Sequence, residues 1–149
     1  MTAKKVLAVY ATRTVQTKAI AELIAEGARF EGCEVTVVNV DAVRKEDQLS
    51  GYDAYVFGSP TYHGDMMQSM KTLLFLAEKA GLRGKVGGSF GAFGWSGEAP
   101  VRIYDTMKNI FGMQMVSGPL MLKSASLGGG QKMAQDYGRE VAKKINTTS

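Results

Sequence analysis

The sequence predicts an α/β fold: a three-layer open sheet of five parallel strands with helices on both faces. Five short apolar or β-branched runs, Val6–Tyr10, Val35–Val40, Ala54–Gly58, Val86–Phe93 and Gln114–Leu122, are of the kind that strands buried on both faces require. Segments of helical period separate them in regular alternation. The 149 residues, 45% hydrophobic and 21% charged with only 3 Pro, suffice for one hydrophobic core and no second.

The elements follow in order. After the first strand, Ala19, Ile20, Leu23, Ile24 and Gly27 recur at helical spacing over Thr17–Phe30, while Glu22 and Glu26 face water. The polar stretch Asp41–Gly51 after the second strand predicts only a short helix around Arg44–Leu49. After the third strand, Met70, Leu73, Leu74 and Ala77 mark a helix over Met66–Ala80. After the fourth, Val101, Ile103, Met107 and Ile110 mark one over Gly97–Phe111, and a last helix runs from Gln131 to Ile145. No linker, repeat or low-complexity tract divides the chain, so residues 1–149 are expected to form a single domain. Right-handed crossovers in such a sheet place ligands at the carboxyl ends of the strands, where the winding reverses.

Composition excludes several classes. The apolar runs are far shorter than the roughly 20 residues of a membrane span, and Met1–Lys5 leads straight into the first strand, so a cytoplasmic chain with no membrane association is expected. One cysteine, Cys33, and one histidine, His63, provide neither an internal disulfide nor a structural zinc site, and no metal is expected. The net charge is +4; residues 1–75 hold 8 basic and 9 acidic side chains, residues 76–149 hold 10 and 5. These cations are scattered rather than gathered into a stripe, which argues against nucleic acid and suits an acidic protein partner. No P-loop or dinucleotide-binding glycine pattern occurs. Gly94-Trp95-Ser96-Gly97 misses the nucleophile elbow because Glu98 stands where its last glycine belongs. No catalytic residue is assigned, His63 included, and the chain is expected to be a monomer or weak dimer.

Three loops at the carboxyl ends of the strands carry the chemistry. Thr12, Arg13, Thr14, Val15, Gln16 and Thr17 run from the first strand into a helix. Their three hydroxyls meet unpaired backbone N–H groups and the positive end of the helix dipole, so they suit a phosphate; capping of the helix by one hydroxyl is the simpler alternative. After the third strand come Ser59, Pro60, Thr61, Tyr62, His63 and Gly64, which present bulky rings on a loop. After the fourth come Phe93, Gly94, Trp95, Ser96 and Gly97, with the only Trp displayed between glycines. Together they describe a slot for a flat ring tethered to one phosphate.

On these residues the chain resembles the flavodoxin family, and within it the flavodoxin-like domain of flavodiiron proteins (A-type flavoproteins), over essentially its whole length. Thr12-Arg13-Thr14-Val15-Gln16-Thr17 is similar to the family's phosphate loop, Gly58-Ser59-Pro60-Thr61-Tyr62 to its first flavin loop and Gly94-Trp95-Ser96-Gly97-Glu98-Ala99 to its second. The resemblance implies a flavodoxin-like sheet, FMN held noncovalently with its phosphate on residues 12–17 and its isoalloxazine between residues 59–64 and 93–97, and single-electron shuttling between redox protein partners. It also implies a backbone carbonyl within Tyr62–Asp65 that accepts a bond from the reduced flavin N5–H. Two features depart from the family pattern: Val15-Gln16 stands where Gly-Asn is usual, leaving Arg13 to pair with the phosphate, and the chain is basic where flavodoxins are acidic. The alternatives are a small FMN-dependent NAD(P)H:quinone-type reductase, an electron-donor module for a separate diiron or other metalloenzyme, and a binding module without flavin.

Overall fold

Parallel pairing runs through the whole sheet of the computed structural model, which describes residues 3–11, 15–61, 64–92, 97–122 and 129–147, the side chain of Val15 excepted. The strands are β1 (Lys5–Tyr10), β2 (Glu34–Asn39), β3 (Ala54–Gly58), β4 (Val86–Ala92), β5 (Gln114–Met115) and β6 (Leu120–Leu122). Their order is β2-β1-β3-β4-β5, with β6 also on β4, so β5 and β6 form one outer row. The winding reverses between β1 and β3. There Tyr10 pairs with Gly58, and the Ala11 N–H donates to the Gly58 carbonyl at 2.8 Å, which holds the two strand ends side by side.

Among the described residues, four α-helices cover the sheet: α1 (Val15–Phe30), α2 (Gln68–Ala80), α3 (Glu98–Asp105) and α4 (Gly130–Thr147). The period-two alternation of side chains sorts the core into two layers. Val6, Tyr10, Val56 and Phe90 pack with α1 and α4 residues such as Ile20, Ile24 and Val141. Leu7, Val9, Tyr55 and Phe57 pack with α2 and α3 residues such as Met70, Leu73 and Ile103. Among the described residues no helix is long and apolar enough to cross a membrane.

Helices α1 and α4 touch backbone to backbone. A Cβ on Gly27 would lie 1.9 Å from the Gln135 carbonyl oxygen, and one on Gly138 would lie 1.9 Å from the Ile24 carbonyl oxygen. Each helix therefore contributes the glycine that admits the other's main chain.

The fifth expected strand is in two pieces. Pairing to β4 stops after Gly87↔Met115 and resumes at Phe90↔Leu120. Pro119, which lacks an N–H, stands in the interruption. The α4 residue Tyr137 fills it: its hydroxyl accepts from the Ser89 N–H at 3.0 Å and donates to the Gly118 carbonyl at 2.7 Å. Gly88 leaves the room, since a Cβ there would sit 3.0 Å from the Tyr137 ring. Burial pushes the Tyr137 phenol well above its ordinary pKa, so it stays a neutral donor and acceptor.

Other boundaries shift as well. The expected Arg44–Leu49 helix is a 3-10 turn over Glu46–Leu49, preceded by another over Val40–Ala42. Gln48 stitches the two together, its amide oxygen accepting from the Arg44 and Lys45 N–H groups and its nitrogen donating to the Ala42 carbonyl. The expected Gly97–Phe111 helix is α-helical only to Asp105; Thr106–Ile110 is a π turn closed by the Phe111 N–H on the Thr106 carbonyl at 3.1 Å. Ile103, Met107 and Phe111 all stay buried through the wider turn. Val101 and Ile110, expected on the apolar stripe, are exposed.

Gly138→Ala is expected to lower unfolding free energy by at least about 2 kcal/mol in urea titration, because its methyl meets backbone that cannot yield. Gly118→Ala, whose Cβ would meet open space, is expected to change it by less than about 0.5 kcal/mol.

Candidate functional site

The carboxyl end of β1 leads within a few residues into α1, whose first helical residue is Val15. Helical backbone has negative φ, so the β-branched residue carries no left-handed strain there. No acidic residue occupies the first turn, leaving the positive end of the dipole uncompensated by a side chain of its own. Thr17, the third residue of the helix, is 0% exposed, and its Oγ1 has no hydrogen-bond partner among the described residues. An unsatisfied buried hydroxyl costs about 1–3 kcal/mol. Such a donor, in the first turn of a helix at the positive end of its dipole, is suited to an anion.

Next to it, the loop after β3 is pinned on three sides. The Ser59 N–H donates to the Phe90 carbonyl at 3.1 Å, and its fully buried hydroxyl donates to the Pro60 carbonyl at 2.9 Å while accepting from the Met67 N–H at 3.0 Å. Met67 is the N-cap of α2 and makes no side-chain cap of its own. Thr61, half-buried, accepts at Oγ1 from the Ala99 N–H in the first turn of α3 at 3.0 Å. Gly64 adopts φ +74°, and a Cβ there would meet nothing within 4 Å, so this glycine serves backbone conformation rather than close packing.

The loop after β4 is held at both of its described ends. A Cβ on Gly91 would lie 2.4 Å from the Ser59 carbonyl oxygen, so the ends of β3 and β4 are in backbone contact. The Ser89 hydroxyl donates to the Pro100 carbonyl at 2.8 Å and fixes the start of α3 on β4. At Gly97 a Cβ would lie 2.6 Å from the sulfur of Met121, an exposed flexible side chain that would have to move aside.

One charged cluster adjoins the first loop. Asp65 Oδ2 lies 2.6 Å from Lys71 Nζ, Oδ1 accepts from the Met66 N–H at 2.7 Å, and Arg102 Nε stands 3.8 Å away. The Lys71 hydrogen bond, followed by the Met66 amide, holds the Asp65 pKa below its ordinary value. Asp65 thus gathers Lys71 and Arg102 beside this loop.

The structure thus brings Thr17, Ser59, Pro60, Thr61, Gly64 and Gly97 to one edge of the sheet, with Gln16 exposed at the start of α1. Thr12, Arg13, Thr14, Tyr62, His63, Phe93, Gly94, Trp95 and Ser96, and the side chain of Val15, lie outside the described residues. Sequence reasoning missed Asp65, Lys71 and Arg102, whose spacings of six and thirty-one match no local pattern. It also missed the use of the Met67 and Ala99 backbone amides, although the glycine at 97 was a signal: it supplies no capping side chain, so α3 had to find one elsewhere.

Comparison with known proteins agrees with this geometry. The flavodoxin family model matches residues 9–144. A flavodoxin of Aquifex aeolicus (strain VF5) is 44% identical over 98 residues, 62% of this chain and 52% of that protein. A solved flavodoxin from the domain Archaea superimposes with a TM-score of 0.88 at 28% identity, covering 95% of this chain and 99% of the other. A flavodiiron core from Synechocystis sp. PCC6803 does so with a TM-score of 0.90 at 25% identity, covering 99% of this chain and 37% of the other. The chain spans about half the length, or less, of the first relatives it matches by sequence. With the family model covering nearly every element from β1 to α4, this chain belongs to the flavodoxin family.

Proposed function

We propose that residues 1–149 act as one FMN-binding domain that carries single electrons between redox protein partners. The observation that carries this reading is the Thr17 hydroxyl, buried without a partner in the first turn of α1. The residues fit the group: a neutral donor in the first turn of a helix, at the positive end of its dipole, for a phosphate, and a glycine at φ +74° in a loop at the neighbouring strand end. When bound, FMN supplies one-electron chemistry, which no side chain here provides.

The protein's own part is to bind, orient and tune. In the proposed site Thr17, with Thr12, Arg13, Thr14, Val15 and Gln16, holds the phosphate; Ser59, Pro60, Thr61, Tyr62, His63 and Gly64 face one side of the ring slot; and Phe93, Gly94, Trp95, Ser96 and Gly97 face the other. Ser59 works as scaffold, since its hydroxyl hydrogen and its N–H are both engaged within the protein.

An acidic protein partner is part of the proposal, supported by the 10 basic against 5 acidic side chains of residues 76–149. So is a cytoplasmic setting, supported by Cys33 as a free buried thiol. The likeness to a flavodiiron core favours a metalloenzyme as the electron acceptor.

Titration of FMN and of riboflavin, which lacks the phosphate, tests the reading through quenching of flavin fluorescence. Thr17→Val is expected to weaken FMN by about 10- to 100-fold and to leave riboflavin within about twofold; equal losses for both would contradict a phosphate at Thr17. Asp65→Asn is expected to cost up to about 1 kcal/mol of stability at pH 6, as befits a largely exposed ion pair. Because the folded pKa of Asp65 is depressed, that contribution is complete above the ordinary carboxyl value of 3.8 and is lost as pH falls through the folded value. Urea titrations of both proteins should therefore differ at pH 6, and the difference should shrink as the pH is lowered below 3.8.

A further inference from the structure

We infer that Thr61 is a positioning residue that sets the separation of the two loops enclosing the ring slot, by capping α3 from another part of the chain. This rests on the FMN reading above and goes beyond contact with the ligand. Helix α3 starts with Gly97 as its N-cap, and glycine has no side-chain acceptor for the amides of the first turn. The acceptor comes from Thr61, 38 positions earlier, whose Oγ1 takes the Ala99 N–H at 3.0 Å.

That bond joins the loop after β3 to the far end of the loop after β4. The near end of the second loop is already fixed: Ala92 pairs with Leu122 in the sheet, and Gly91 abuts the Ser59 carbonyl. Thr61 is itself anchored through Ser59, two residues earlier, whose hydroxyl is bound to Pro60 and Met67. The described ends of this loop, Ala92 and Gly97, are thus held by the sheet on one side and by a helix start tied to Thr61 on the other. Accepting from Ala99 leaves the Thr61 hydroxyl hydrogen free to donate elsewhere.

The tie is separable from the phosphate site because it acts on the ring alone. Thr61→Val keeps the shape and removes the acceptor, whereas Thr61→Ser keeps the acceptor. Both variants of the full chain are compared with the wild type by FMN and riboflavin titration, and by amide hydrogen exchange of the flavin-free protein. Thr61→Val is expected to weaken FMN and riboflavin by the same factor, about tenfold, and to speed exchange at the Ala99 amide by about tenfold, with β3 amides unchanged. Thr61→Ser is expected to stay within about threefold of the wild type in every measurement. Unchanged Ala99 exchange in Thr61→Val, a loss confined to FMN, or a Thr61→Ser variant as impaired as Thr61→Val overturns the inference. A wild type that binds neither flavin overturns the FMN reading instead, while the exchange comparison still decides whether Thr61 caps α3.

Discussion

A hydroxyl buried without a partner is the constraint around which this protein is arranged. Thr17 is inaccessible to water, and its Oγ1 finds no acceptor or donor among the described residues. Folding rarely leaves such a group unmatched, because its desolvation is a large fraction of a domain's net stability. The position makes sense if an anion completes it. Strand order β2-β1-β3-β4-β5 puts the reversal of winding between β1 and β3, and the Ala11 to Gly58 hydrogen bond keeps those strand ends together, so the start of α1 and the loop after β3 face the same space.

Rigidity beneath that space comes from contacts that only small residues permit. The Gly27 and Gly138 crossings lock α1, which carries Thr17, to α4. Helix α4 in turn carries Tyr137, which closes the interruption in the outer strand row and satisfies the Ser89 amide. On the opposite face the Ser89 hydroxyl fixes α3 through Pro100. Ser89 therefore links both helical layers, its amide to α4 and its hydroxyl to α3, three positions before Ala92, the strand end that borders the second loop.

What was legible in the sequence follows from what is local. Strand positions could be read because apolar runs report burial on both faces, and β3 falls on Ala54–Gly58 as expected. The hydroxyls before α1 could be read because helix starts have known needs, but not the burial of Thr17, which depends on how α1 seats against the sheet. Pro119 was a local sign of the break between Met115 and Leu120, but not Tyr137, which fills it from about twenty residues downstream on another element. The π turn was not legible because α and π turns share the same apolar residues here: Ile103 and Met107 pack as a helix would have them, and only Val101 and Ile110 fall outside the core. Asp65 was passed over because a carboxylate shows its worth only when Lys71 and Arg102 have been brought to it.

The central claim is that the tail of the proposed flavin is a phosphate held as a dianion by α1 and Thr17. Phosphorus-31 NMR of the FMN-loaded protein across pH 5 to 8 tests it most directly, since a free phosphate monoester titrates with a pKa near about 6. The account predicts one resonance, displaced from that of free FMN and unmoved by pH over that range. A resonance that shifts with pH as free FMN does, or a protein that leaves the phosphorus signal of added FMN unchanged, would contradict it.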